Sequence, residues 1–367
     1  MPPADTPPAR PRLVGLATAV PPFVLEQSDV AERAATLFGP VEGGFHRLAP
    51  VYRNACIDRR RTCVPLDWFM EEHAFSERND LFLRHATDLL VEAATRALAE
   101  AGLTPADVDT LVTVTSSGIA TPGLDARVMQ KLPFRPDTQR SPLFGLGCAG
   151  GVIGLSRAAA LAQAAPGSTV LLLVVELCSL TFRRQDRSKS NIVATALFGD
   201  GAAAAVITCR PDVGGVAAPR LGPWGEHTWP ESLDVMGWDV AEDGLKVVFS
   251  RDIPSLVRED LRPVIDAFLA RHELDIAAID GFVCHPGGAK VVDALEGCFG
   301  LRPGSLVHAR EVLRDFGNMS AATVLFVLRA AMDATPTAPG RGEASRGRRL
   351  MTTLGPGFTA GMMVLEG

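Results

Sequence analysis

A chain of 367 residues, 47% hydrophobic and 21% charged, is long enough for two ordinary domains or one large α/β unit in two halves, and its composition excludes wholesale disorder. The net charge of −6 and pI near 5.7 argue against general nucleic-acid binding, while leaving room for a local basic patch that receives a phosphorylated ligand. No run reaches the roughly 20 apolar residues of a membrane span.

Taken in chain order, the N-terminal MPPADTPPARPR has no apolar signal core and reads as a short flexible lead-in. Beyond it, apolar strand-like runs alternate with Ala-rich helical stretches, the pattern of α/β architecture. Leu103-Thr-Pro-Ala-Asp-Val-Asp-Thr leads into a strand over Leu111 to Thr115. Gly147-Cys148 then opens a helix over AGGVIGLSRAAALA. The run Val170 to Leu177 has the length of a buried strand, and Gly199-Asp-Gly feeds the small-residue strand Ala-Ala-Ala-Ala-Val.

Residues 211–232, rich in Pro, Gly and Trp without periodicity, read as a connector between two halves, 1–220 and 221–367. The second half echoes the first. Leu274-Asp-Ile-Ala-Ala-Ile-Asp-Gly leads into Phe282 to Cys284, and Gly317-Asn318 opens a helix over MSAATVLFVLRAAM. A Pro/Gly/Arg-rich loop spans 334–349, and Gly355-Pro-Gly-Phe-Thr-Ala-Gly-Met is a turn feeding the last strand. Asp109 to Cys148 is 39 positions and Asp280 to Asn318 is 38, which predicts a duplicated unit with Asn318 as the counterpart of Cys148.

Seven cysteines, Cys56, Cys63, Cys148, Cys178, Cys209, Cys284 and Cys298, are odd in number and lack metal-ligand spacing, and the seven histidines form no metal motif. A reduced, cytoplasmic protein without a metal is the simplest expectation. Three residues stand out chemically. Cys148 lies among glycines at a predicted helix start, where free N–H groups and the helix dipole favour a thiolate and can hold a thioester oxyanion; equally, a small buried cysteine fills space beside glycines. His285, in DGFVCHPGGAK, ends an apolar strand where α/β proteins place ligand sites and could deprotonate a thiol, or it merely caps the loop. Its neighbour Cys284 points to the opposite, core face of the strand. Asn318, in RDFGNMSAA, is an ordinary helix N-cap or an amide donor to a developing oxyanion.

The segments GCAGG, ALFGDGAA, HPGG, GNMS and LGPGF, in this order and spacing, resemble the type III polyketide synthases, the chalcone-synthase-like branch of the thiolase superfamily. The resemblance implies a homodimer of internally duplicated, layered αβαβα subunits, with no metal and no bound cofactor, using coenzyme A thioesters as substrates. Cys148 would accept a starter from its acyl-CoA. His285 and Asn318 would bind the malonyl-CoA carbonyl and stabilise the enolate left by decarboxylation, which attacks the Cys148 thioester. Phe198 matches a gatekeeping phenylalanine, whose aromatic face beside the malonyl carboxylate favours loss of CO₂.

By the same matching, Val247 replaces a second gatekeeper phenylalanine and widens the passage, and Trp238 fills a different wall. Ser116, Ser117, Cys178, Leu180, Thr181, Ser320, Gly355 and Pro356 line the cavity, while Thr121 reaches into the partner subunit. Arg53, Gly287, Gly288 and Arg251 fall along the coenzyme A path, and Arg59, Arg60 and Arg61 are further candidates for its phosphates, or part of a solvated basic face. The resemblance favours an alkylpyrone or alkylresorcinol product from a fatty-acyl starter. The alternatives are a ketoacyl-acyl carrier protein synthase of the initiating type, which shares the Cys-His-Asn set, and a catalytically inert scaffold.

Overall fold

The computed structural model describes residues 10–39, 45–214, 218–249, 253–334 and 347–367. Most of the expected lead-in and of the loop at 334–349, and Arg251, lie outside them. Strand β1 (Arg12–Ala19) is followed by the paired strands β2 (Phe23–Glu26) and β3 (Arg59–Thr62), which bracket helices α1 (Gln27–Phe38), α2 (Phe45–Leu48) and α3 (Pro50–Asn54). Helix α4 (Phe75–Ala101), rich in Ala, Leu and Glu, stops at Gly102, whose φ of 68° closes the last turn in the left-handed region that glycine enters without penalty. Then come β4 (Thr110–Thr115), α5 (Leu124–Met129), β5 (Gln139–Phe144), α6 (Gly150–Ala164), β6 (Thr169–Leu177), α7 (Lys189–Leu197) and β7 (Asp200–Thr208).

The second half supplies β8 (Arg220–Thr228), a hairpin of β9 (Met236–Ala241) and β10 (Gly244–Phe249), α8 (Ile253–Ala270) and β11 (Gly281–Cys284). It ends with α9 (Ala289–Cys298), α10 (Val307–Phe316), α11 (Thr323–Asp333), β12 (Arg348–Gly355) and β13 (Thr359–Glu366). Strand β8 corrects the connector expected at 211–232. Its side chains are mostly half-buried or exposed, so it carries no apolar run to betray it.

The nine-stranded order is β11-β12-β13-β8-β1-β7-β6-β4-β5. From the antiparallel β1–β8 contact outward, each direction repeats the same pairings. On one side β7 and β6 pair antiparallel and β6 with β4 parallel; on the other β13 and β12 pair antiparallel and β12 with β11 parallel. Only β5 lacks a counterpart among the described residues.

Strand alternation sorts the layers. On β6, Leu171, Leu173 and Val175 join a cluster with Phe82, Ala86 and Leu90 of α4, whereas Val170, Leu172 and Val174 join one with Val152 and Leu155 of α6. Both faces are covered, which is why this strand reads as an unbroken apolar run. On the other side of α6, Gly361 of β13 lies against Val152 and Ile153, while its neighbour Met362 faces Phe268 of α8 across Gly225. The layers therefore run α4, strands, α6 with α11, strands, α8: the thiolase-like αβαβα order.

The two middle helices meet through Gly151, where a Cβ would stand only 2.4 Å from the backbone oxygen of Ala321. That close approach sets the turn before α6 beside the turn before α11.

Candidate active site

Cys148 sits on the 3₁₀ turn Gly147–Ala149 that leads into α6. Gly147 adopts φ 47° beneath the ring of Pro356, and Gly355 backs closely onto Ala149. The turn is pinned from both halves of the chain. Gly147 N–H donates to Ser116 Oγ just beyond β4 (2.9 Å), and Thr353 Oγ1 on β12 donates to the Cys148 carbonyl (2.5 Å). The sulfur lies 3.9 Å from Asn318 Oδ1. Although the residue keeps partial surface exposure, burial of its sulfur pushes the thiol up to about 11, and the nearby Glu176 carboxylate adds to the rise. Desolvation thus works against the thiolate that a helix N-terminus favours.

His285 follows β11 directly, its N–H bonded to the Thr352 carbonyl (2.9 Å). It is buried, neither ring nitrogen has a hydrogen-bond partner, and desolvation pushes the imidazole down to about 4. Burial thus favours the neutral form of both side chains. Cys284 is buried on the other face, as expected.

Asn318 is not a helix N-cap: α11 begins at Thr323, after a 3₁₀ turn at Ser320–Ala322. Its backbone bridges Leu197 and Gly199, its Nδ2 donates to the Gly287 carbonyl (3.2 Å), and its Oδ1 accepts from Ser320 N–H (2.8 Å). A cavity of about 510 Å³ is lined by Cys148, His285 and Asn318 together, with Phe249 and Gly287 among its other walls. A nucleophile, an unsatisfied neutral imidazole and a fixed amide around one space suit thioester chemistry, in which a carbonyl oxygen needs donors.

One residue of this site escaped the sequence analysis. Glu176 is fully buried, and its carboxylate accepts from Ser117 Oγ (2.6 Å), Ser116 N–H (3.0 Å) and Ser320 Oγ (3.4 Å). Burial raises it to about 7 against these hydrogen bonds. The signal was present: one carboxylate inside the otherwise apolar β6, in phase with Val170, Leu172 and Val174, which face α6.

Phe198, Cys178, Ala194 and Val247 form a small apolar cluster joined by Trp238 and Phe249. The Phe198 ring centroid is 6.0 Å from that of Trp238 and 5.7 Å from that of Phe249. Phe249, on the same face of β10 as Val247, also brings a ring against Phe198. Trp238 does not fill a different wall, since it lies opposite Val247 across the hairpin and packs on Phe198. Cys178, Thr181, Phe198 and Val247 line a second cavity of about 680 Å³. Leu180 and Ser117 line a small separate recess. Thr121, exposed before Pro122, stands apart from these spaces.

Of the basic residues, Arg53 is exposed on α3 and Arg59 pairs with Asp315 (3.1 Å). Arg60 is a correction. It is buried, and its guanidinium donates to the carbonyls of Thr195, Ala196 and Phe198 at the C-terminus of α7 and to Gln27 Oε1. It serves that helix end rather than a phosphate. Gly287 and Gly288 form the loop between His285 and α9.

Comparison with known proteins matches residues 68–211 to chalcone and stilbene synthases, N-terminal domain, and residues 226–367 to chalcone and stilbene synthases, C-terminal domain. A putative chalcone synthase of Bacillus subtilis is 37% identical, covering 96% of this chain and 98% of that protein. The 1,3,6,8-tetrahydroxynaphthalene synthase of Streptomyces peucetius is 38% identical (95% and 91%), and the alpha-pyrone synthesis polyketide synthase-like Pks18 of Mycobacterium tuberculosis 31% (99% and 94%). Among solved structures, the tetrahydroxynaphthalene synthase of Streptomyces coelicolor, a bacterial type III polyketide synthase, superimposes with a TM-score of 0.89 at 27% identity, over 97% of this chain and 99% of that one.

Proposed function

The chain belongs to the chalcone and stilbene synthase family, the type III polyketide synthases, condensing acyltransferases, and from that premise we propose that Cys148 carries an acyl group from an acyl-CoA starter and that malonyl-CoA extends it. The observation that supports this most is the convergence of Cys148, His285 and Asn318 on one cavity. No separate cofactor is needed in this scheme; coenzyme A thioesters are the substrates.

In the loading step His285, neutral at rest, takes the Cys148 proton as the sulfur attacks the starter carbonyl. The imidazolium then gives the proton to the departing coenzyme A thiolate. In the extension step malonyl-CoA loses CO₂, and the electron pair of the broken bond becomes a thioester enolate. His285 and Asn318 Nδ2 donate hydrogen bonds to its oxygen, each worth about 3–4 kcal/mol in a dry, preorganised site. The enolate carbon attacks the acyl group, and the Cys148 thiolate leaves. Decarboxylation supplies the nucleophile, so no strong base is required. The ring of Phe198 disfavours the charged malonyl carboxylate and so assists its loss.

We assign Arg53, Arg251, Gly287 and Gly288 to the coenzyme A path, Thr121 to a partner subunit in a homodimer, and the product to the alkylpyrone or alkylresorcinol class. The test is incubation of the purified protein with radiolabelled malonyl-CoA and a panel of acyl-CoAs. Extended, cyclised products that vanish with Cys148→Ala support the proposal. A strict requirement for acyl carrier protein, or condensation unaffected by Cys148→Ala, overturns it.

A further inference from the structure

Strand β3 grips both halves of the chain. Just before it, Asp58 N–H donates to the Arg314 carbonyl (2.8 Å), and Arg59 pairs with Asp315; both partners lie at the end of α10, which leads to Asn318. Just after it, Cys63 N–H donates to Asp200 Oδ2 (3.0 Å), close behind Phe198. Between these ties Arg60 lies buried. Its guanidinium donates to the carbonyls of Thr195 (2.5 Å), Ala196 (3.3 Å) and Phe198 (3.3 Å). The ring of Phe198, with that of Phe249, forms the partition between the two cavities.

The segment that Arg60 holds is joined to Asn318. Asn318 N–H donates to the Leu197 carbonyl (2.8 Å) and Gly199 N–H to the Asn318 carbonyl (3.0 Å), so one short bridge brackets Phe198. The fit leaves little play. A Cβ at Gly199 would stand 2.3 Å from the Phe316 oxygen and 3.3 Å from Arg60 Cβ. One at Gly317 would stand 2.7 Å from the Leu197 oxygen and 3.6 Å from Arg60 Cβ. The guanidinium is itself fixed: Gln27 Oε1 accepts from it, and Gln27 Nε2 donates to the carbonyls of Ala196 (3.1 Å) and Tyr52 (3.0 Å). Burial lowers Arg60 only to about 10, so at neutral pH its hydrogen bonds are charge-assisted. The nucleophile has other supports. Ser116 and Thr353 hold the Cys148 turn, and Thr352 holds His285.

We propose that Arg60 is the positioning residue of the decarboxylation step. Through the carbonyls that end α7 it sets the Phe198 ring and the Asn318 amide together, and it leaves the Cys148 nucleophile to its own supports. The inference rests on the roles assigned above to Phe198 and Asn318. A donor or ring that shifts loses its aim at the malonyl thioester, and a misplacement of about 1 Å can cost on the order of 100-fold in rate. Lysine cannot replace Arg60 fully. Its ammonium keeps the charge, but a single nitrogen lacks the planar fork that spans three carbonyls.

The experiment compares two rates in the purified full chain and in Arg60→Lys. One is release of labelled CO₂ from malonyl-CoA; the other is retention of a radiolabelled acyl group on Cys148 from hexanoyl-CoA, with malonyl-CoA withheld. In Arg60→Lys we expect CO₂ release to fall about 10- to 100-fold, mainly in kcat, while acyl retention stays within about twofold. Gln27→Met keeps Arg60 but removes the amide that fixes it, and should lower CO₂ release about three- to tenfold with the same selectivity. It carries the comparison should Arg60→Lys fail to fold. Equal falls in both rates in a folded variant overturn the proposal, since general loosening of the fold would cause them. Unchanged CO₂ release in a folded Arg60→Lys overturns it as well. An unaltered protein that neither retains the acyl group nor releases CO₂ would instead remove the reading beneath it.

Discussion

The rings of Phe198 and Phe249 stand 5.7 Å apart, centroid to centroid, and are inclined at 55°. Val247, expected to leave a gap, is buried behind them against Cys178 and Ala194. Val247→Phe should therefore overpack this cluster and cost about 1–3 kcal/mol, read as a lower Tm. Phe249→Ala should open the partition and raise kcat/KM for starters with bulky aromatic ends. If Val247→Phe is tolerated without loss of Tm, the space behind the rings is larger than described.

The Cys148 thiol, pushed up to about 11, should resist alkylation at neutral pH. Its rate with iodoacetamide in the free enzyme should climb about tenfold per pH unit through pH 9, the slope of a thiol still mostly protonated. A plateau near pH 7 would show a resting thiolate and contradict the balance of burial over dipole.

Glu176 gives a pH signature of opposite sense to the usual carboxylate. Its folded value of about 7 lies above the ordinary 4.5, so the folded state holds this proton more tightly than the unfolded chain. The stability this contributes is complete below the unfolded value and is lost as pH rises through 7, on the order of 3 kcal/mol. Thermal unfolding between pH 5 and 8 should show a steeper loss in the native protein than in Glu176→Gln. Parallel curves for the two would mean that the carboxylate stays ionised throughout.

Gly151→Ala drives a Cβ to 2.4 Å from both the Ala321 oxygen and Val324 Cγ1. Backbone cannot yield as a side-chain end can, so a loss of about 3 kcal/mol or more is expected, with activity falling as the turns at Cys148 and Ser320 separate. Gly167→Ala, where nothing lies within 4 Å, is the control and should leave Tm within about 1 °C. Equal behaviour of the two would dismiss close helix approach as the reason for glycine at 151.

Cys148, His285 and Asn318 were legible because each interrupts its surroundings: a thiol among glycines, an imidazole at a strand end, an amide at the matching place in a repeat. The layered fold was legible for the same reason, since apolar runs such as β6 need cover on both faces. Glu176 was missed because attention to the apolar run hid its one carboxylate, whose meaning depends on which face α6 covers. Phe249 was missed because sequence matching compares positions, whereas a strand face also presents the residue two along. Arg60 was misplaced because a run of basic residues reads as surface, and only the fold shows the end of α7 waiting for it. Strand β8 was missed because half-exposed strands carry little periodicity.

The hydroxyl of Thr353 on the Cys148 carbonyl joins residues 205 positions apart. Synthesised from the N-terminus, the chain therefore carries its nucleophile long before it owns the wall that holds it. Until β12 has docked, Cys148 is a thiol on an unsecured turn, without His285, Asn318 or the roof of Gly355 and Pro356. On the proposed mechanism, a nascent or truncated chain would hold Cys148 without the wall that its chemistry needs.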